Sequence, residues 1–447
     1  MFHICFCANE SYLKYTAVLI NSIVKNTDTT KAFADFFTKN PPPHLDSYKK
    51  RDFALLSDDE KIEGYVFHIL SDFVSEDSRY NLTNLAKELS KIYPCEIQIH
   101  ICESTLFSGL PTLNGNYLTY FRFFIPRFIP KDCVVCLYLD IDMLVVGDLR
   151  GLFVLDMGEK CVGVVKDYIL NNAIKKRPTL LPKTADLSSI RFTGSHFNAG
   201  FMLINLNAWE RENITAQCFE VMRNYHLDMH DQDTLNAVII EQNRLKLPFA
   251  FNCLPRAFLQ SICNDESPHF KFDYTHESMN FSLKNPMILH FTSGIQKAWQ
   301  GVNIKNQNGQ ILSDLWWEVA LNTPNFDEIL RGEFEALKQN PRKIFESQSA
   351  VYLLGFTQNF WGFFALPFMA QKIFGKNARE VLATRELQDS HSLNPCDYNL
   401  AFEIFALIQK SWQRRKKGDL LILPFRAIKL KFRHKRYGIS QVLDCES

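Results

Sequence analysis

The triplet Asp140-Ile141-Asp142 ends the apolar run Val134 to Leu139, which reads as a buried β-strand. Two carboxylates at i and i+2 where a strand gives way to a loop can both be turned toward one divalent cation, and they form half of a hard-metal site. The spacing alone is weak, because Asp231-Gln232-Asp233 repeats it elsewhere. Context strengthens the first triplet: acids at the end of an apolar strand are costly unless solvated, paired or metal-bound. Metal binding and a solvated strand end both fit at this level. His290 closes the strand-like Met287-Ile288-Leu289 and can be a satisfied core imidazole or a ligand. Arg122, inside an aromatic segment, calls for an anionic partner such as a diphosphate or Asp140.

The elements that position these residues alternate. Residues 2–8 read as a strand and Tyr15 to Lys25 as a helix; then come a strand at Tyr65–Leu70, a helix at Leu82–Lys91 and a strand at Glu96–Ile101. A helix is expected over Tyr117–Phe128, strands over Val134–Leu139, Cys161–Val165 and Ala199–Ile204, and helices near Ala216–Asn224 and Thr234–Gln242. This alternation predicts an α/β fold with a doubly wound, mostly parallel sheet, and the acids fall beyond the carboxyl ends of its strands, where ligands gather. Residues 31–64, with Pro41-Pro42-Pro43, read as an insertion.

The run Leu137-Tyr138-Leu139-Asp140-Ile141-Asp142 resembles the metal motif of the family 8 retaining glycosyltransferases, which include glycogenin and the bacterial lipooligosaccharide galactosyl- and glucosyltransferases. Phe6 to Tyr12, Thr119-Tyr120-Phe121-Arg122, Phe197-Asn198-Ala199-Gly200, His230-Asp231-Gln232-Asp233 and His290 to Trp299 agree with that family in order and spacing. The resemblance implies a GT-A fold, a UDP-sugar donor and Mn2+ or Mg2+ held by Asp140, Asp142 and His290. It places Ala8, Asn9 and Tyr12 around uracil, with Asn9 standing where many relatives carry Asp. Arg122, Ile141, Asp167, Asn198, Ala199, Asp231 and Gln232 would surround the donor sugar and phosphates, and Gly294 and Lys297 the diphosphate. Asp231, Gln232 and Arg122 would carry the catalysis. Gln232 beneath the anomeric carbon is an amide, a poor nucleophile, which favours same-face internal return over a covalent glycosyl-enzyme.

The rest of the chain adds a second theme. The 447 residues carry a net charge of +1, which excludes a globally basic polyanion binder, and Gln409–Tyr437 holds eleven Lys/Arg against one acid, Asp419. Basic residues interleaved with Leu, Ile and Phe suit an anionic membrane surface. The uncharged Val351 to Gln371 reads as a buried or interfacial helix pair. The expected organisation is a catalytic domain over 1–300, a helical connection over 301–350 and an apolar, then basic, membrane-association region over 351–447. Without a secretory signal at Met1–Cys7, a cytoplasmic location on the inner membrane face is expected. The implied acceptor is a lipid-linked or lipopolysaccharide-type saccharide; no nucleic-acid motif is present. Cys133-Val-Val-Cys136 has redox spacing but lies against a strand, where core thiols are expected. Two rivals are a Mg2+-dependent haloacid-dehalogenase-type phosphatase with Asp140 as nucleophile, whose later acidic motif is missing, and a non-catalytic membrane scaffold.

Overall fold

The computed structural model describes residues 1–38, 44–110, 117–167, 178–255, 257–258, 274–292, 297–301 and 304–339, with short pieces between 366 and 428. Two compact units divide the chain. Met1–Cys253, Lys271–His290 and Val319–Asp327 make the first, and Leu254–Phe270, Phe291–Glu318 and Glu328–Ser447 the second.

In the first unit, β1 (Phe2–Cys7) leads into α1 (Leu13–Lys25), then β2 (Tyr65–Ser71), α2 (Glu76–Leu89) and β3 (Cys95–Ile101). Every residue of β2 is buried, as a parallel strand covered on both faces requires. β4 (Val135–Leu139), β6 (Val162–Lys166), β9 (Phe197–Asn205) and β10 (Arg244–Lys246) complete a seven-stranded sheet of order β10-β6-β9-β4-β1-β2-β3. All neighbouring pairs are parallel except those of β9, which runs antiparallel to β4 and β6. That reversal brings the start of β9 against the end of β4. The expected doubly wound, mostly parallel sheet is therefore present, with one reversed strand.

Two helical readings differ from the expectation. Leu118–Arg127 is a 3-10 run with Pro126 inside it; proline has no amide to continue an α-helical ladder, and Tyr120 to Pro126 are instead packed wholly into the core. The helix expected at Thr234–Gln242 occupies His230–Val238 (α5) and follows α3 (Leu206–Arg211) and α4 (Ile214–Asn224). It starts early because the Asp233 carboxylate accepts the amides of Asp228 and Met229 at 2.8 and 2.7 Å, ordering the turn, and because acids suit a helix N-terminus. His230 enters that helix with φ 40°, a left-handed backbone held by those bonds.

Outside the main sheet, β5 (Met143–Val145) pairs antiparallel with β11 (Ile288–His290), and β7 (Thr179–Leu180) with β8 (Ile190–Arg191). Among the described positions, residues 31–64 hold short helical turns and one isolated antiparallel bridge, Lys50 to Leu155, and Pro41-Pro42-Pro43 lies outside the described residues. Cys133 and Cys136 carry free thiols pushed well above the ordinary range by burial, as core residues. Val351–Gln371 and the basic segment lie largely outside the described residues; within the latter, Arg426 pairs with Asp419 at 3.3 Å. Among the described residues no helix is long and apolar enough to cross a membrane.

Candidate active site

Three junctions assemble the site within the first unit. β4 ends at Leu139, and the Asp140 amide continues its ladder by donating to Gly200 O at 2.8 Å, so the first acid sits beside the start of β9. Three residues later β5 begins, and its pairing with β11 sets His290 opposite Met143, next to Asp142. Sheet register thus unites residues 150 positions apart. His290 Nε2 lies 3.1 Å from Asp142 Oδ1 and 3.9 Å from Asp140 Oδ2.

His290 is 1% exposed, and its Nε2 has no hydrogen-bond partner. A buried ring nitrogen left in this way costs about 1–3 kcal/mol unless something occupies it. Gly200 provides the room: a Cβ there would come within 2.5 Å of His290 Cε1 and 2.6 Å of Asp140 Oδ2. One imidazole nitrogen and two carboxylates around a cradle closed to any side chain form a donor set that fits a divalent cation. Among the described residues no other group of three or more such side chains has this geometry.

Arg122 supplies the positive counterpart. It is 4% exposed, lies over the Tyr138 ring and meets Asp140 at 3.0 Å and Asp231 at 3.1 Å, with further bonds to Thr119 O and Ala199 O. Desolvation pulls its pKa down, but Asp231, Tyr138 and Asp140 outweigh that and hold it above its ordinary value. Burial pushes the Asp231 carboxyl up, against the opposing pull of Arg122. Asp140 Oδ1 also accepts the Tyr138 hydroxyl at 2.6 Å, which leaves Oδ2 facing His290.

On the far side of Gly200, Gln232 Oε1 accepts from Ala199 N at 3.2 Å and Asn198 Nδ2 at 3.3 Å, while Gln232 Nε2 and Asn198 Nδ2 each reach Asp167 Oδ2 at 3.4 Å. Asn236 clamps α5 to β9 by bonding both backbone groups of Phe197. Ala8 is buried at the end of β1, and Asn9 and Tyr12 start the following turn, which Glu10 anchors to Ser75 and Ser78 at the N-terminus of α2. Tyr12 is 37% exposed, with its ring edge-on to Tyr15 at 5.6 Å between centroids. β1 neighbours β4, so this turn and the acids share the carboxyl edge of the sheet.

The expected residues Arg122, Asp140, Asp142, Asp167, Asn198, Ala199, Asp231, Gln232 and His290 thus form one cluster with Ile141 between the two acids. Gly294 lies outside the described residues, and Lys297 belongs to the second unit. Sequence reasoning missed Tyr138 as a partner of Asp140, Asp233 and Asn236 as supports of α5, and Asn252. The last had a signal: a lone amide in Phe249-Ala250-Phe251-Asn252-Cys253-Leu254 must find buried partners.

The sequence profile of "Glycosyl transferase family 8" matches residues 3–302. The chain belongs to glycosyltransferase family 8. Family 8 relatives include the lipopolysaccharide 1,3-galactosyltransferase of Salmonella typhimurium, 29% identical over 197 residues, which are 43% of this chain and 55% of that enzyme. The lipopolysaccharide 1,2-glucosyltransferase of Escherichia coli is 26% identical over 55% of this chain and 67% of its own length. The chain thus spans little more than half the length of the Salmonella relative. The crystal structure of the galactosyltransferase LgtC in complex with donor and acceptor sugar analogues superposes with a TM-score of 0.52 over 74% of this chain and all of that one, at 21% identity. The shared family 8 fold is the GT-A fold expected from the motifs.

Proposed function

We propose that the protein is a metal-dependent retaining hexosyltransferase that moves galactose or glucose from a UDP-sugar to a saccharide acceptor of a cell-surface glycolipid such as lipopolysaccharide. The observation that carries the reading is the buried, unpartnered His290 Nε2 facing Asp142 and Asp140. The Salmonella relative is a galactosyltransferase and the E. coli relative a glucosyltransferase, both of lipopolysaccharide, which supports the donor hexose and acceptor class.

Asp140, Asp142 and His290 would hold the cation, and imidazole beside carboxylates suits Mn2+ better than Mg2+. When bound, it supplies positive charge for the diphosphate oxygens as the glycosidic bond breaks. Ala8, Asn9 and Tyr12 would seat uracil. Arg122, kept charged by its two carboxylates, would face the donor phosphate and sugar, and Asp231 would accept hydrogen bonds from sugar hydroxyls. Gln232 presents an amide held by Ala199, Asn198 and Asp167, so it steadies the donor sugar without bonding covalently to it. The anomeric carbon–oxygen bond breaks with its electron pair leaving on UDP, the acceptor hydroxyl attacks the same face, and its proton passes to the departing diphosphate oxygen. Lys297, with Gly294, would approach the β-phosphate as a point charge. The basic C-terminal segment would rest on the inner face of an anionic membrane, where the lipid-linked acceptor lies.

Purified protein with Mn2+ is expected to release UDP slowly from UDP-galactose or UDP-glucose, and Asp142→Ala to abolish that release in a coupled UDP assay. Equal turnover by the variant would remove the metal assignment.

A further inference from the structure

We propose that Asn252 is a positioning residue that sets the tautomer and orientation of His290 and couples the metal face of the site to the sugar pocket. The inference rests on the metal reading of the Asp140, Asp142 and His290 cluster. A chain of hydrogen bonds fixes every donor and acceptor in turn. The Gly200 amide can only donate, and it points at Asn198 Oδ1 at 3.1 Å, so that atom is the amide oxygen. The same oxygen meets the Asn252 side chain at 3.1 Å, so the group of Asn252 facing it must be the NH2. Asn252 then presents its oxygen to His290 Nδ1 at 2.7 Å. An amide oxygen only accepts, so Nδ1 carries the proton, and in the neutral ring the lone pair lies on Nε2, facing Asp142 and Asp140.

The direction of that lone pair traces back to one backbone amide in β9. Asn252 is 1% exposed and ends a short 3-10 turn, Phe249–Asn252, fastened by backbone bonds: Met287 N donates to Ala250 O and His290 N to Cys253 O, each at 2.9 Å. The main chain of His290 is thereby fixed on Cys253 O, and its imidazole turns away only by giving up the Nδ1 bond to Asn252. Because Asn198 also bonds Gln232 and Asp167, the Asn252 side chain links a metal-facing group to the sugar-facing amides. Support of a ligand imidazole by a partner at its other nitrogen is worth about 10–100-fold in metal affinity.

The test uses the full chain labelled with 15N-histidine, together with Mn2+ titrations followed by electron paramagnetic resonance. In wild-type protein without metal, His290 should give the Nδ1–H pattern of a neutral imidazole; a dominant Nε2–H pattern would overturn the proposal, and this arm needs no variant. Asn252→Leu, which keeps the volume and removes both bonds, should lose the single-tautomer pattern and bind Mn2+ about 10–100-fold more weakly. Asn252→Asp retains the acceptor for Nδ1 and should bind Mn2+ within a few-fold of wild type. Unchanged affinity in Asn252→Leu, or equal losses in both variants with circular dichroism retained, would overturn it. Asp142→Ala separates the two readings: if it too binds Mn2+ like wild type, the metal reading fails, whereas loss there without loss in Asn252→Leu removes only the role of Asn252.

Discussion

At Gly200 a single hydrogen atom decides whether the site can exist. Its Cα faces His290 Cε1, Asp140 Oδ2 and Asn198 Oδ1, and none can give way cheaply, since Asp140 is tied to Arg122 and Tyr138 and His290 to Asn252. Gly200→Ala should therefore displace the imidazole or the carboxylate and weaken Mn2+ binding by at least about tenfold, a loss of the size that disturbed ligand support produces. Circular dichroism should stay native, because β9 is extended at this position and accepts alanine; wild-type Mn2+ affinity in the variant would contradict the cradle. Asp140, Asp142, His290, Arg122 and Gln232 could be singled out in the sequence because they stand in motifs that resemble those of family 8, the bare spacing of the acids being weak by itself. Gly200 as a steric gate and Asn252 as a support were not, because their roles depend on atoms 38 to 90 positions away that only β-sheet register brings near.

β1, β2, β4 and β6 were legible as short apolar runs and β3 by its alternation, whereas β10, a leucine between two cations, was not, and helix boundaries shifted where side chains bond the backbone, as at Asp233. One consequence of the strand register has no counterpart in the motifs. β1, β2 and β3 set His3, His68 and His100 in a row, with His3 Nδ1 to His68 Nε2 and His68 Nδ1 to His100 Nε2 both 2.9 Å and the rings stacked. Desolvation, then the N-terminal charge, pulls His3 down to about 4; desolvation, then His3 and His100, pulls His68 down to about 3; and desolvation lowers His100. The unfolded chain protonates these rings near pH 6.5, so below that it binds more protons than the folded one. Stability is full above about pH 6.5 and falls with acidification, by up to about 1.4 kcal/mol per pH unit for His3 and for His68 until their folded values are reached, with the half-buried His100 adding in the same direction. Urea unfolding across this range should show the decline, with a shallower slope in His68→Leu; identical slopes would contradict the assignment.

Across the whole chain, the net charge of +1 conceals a segment of +10, Gln409–Tyr437, and a remainder of −9. A mildly acidic catalytic body with a basic segment suits an enzyme whose donor is soluble and whose acceptor is held in an anionic membrane, each Lys or Arg near such a surface contributing about 1 kcal/mol. Deleting residues after 405 should release the protein from anionic liposomes in flotation while donor hydrolysis survives; full, salt-insensitive association of the truncated chain would refute that role. If Asp140, Asp142 and His290 hold a cation that also grips the donor diphosphate, as proposed, the binding of the two ligands is reciprocal. Titrating Mn2+ with and without UDP-galactose or UDP-glucose tests it most directly. A donor should tighten Mn2+ binding in wild-type protein and Asp142→Ala should erase the coupling; Mn2+ and both donors binding wild-type protein independently of each other would contradict a shared site.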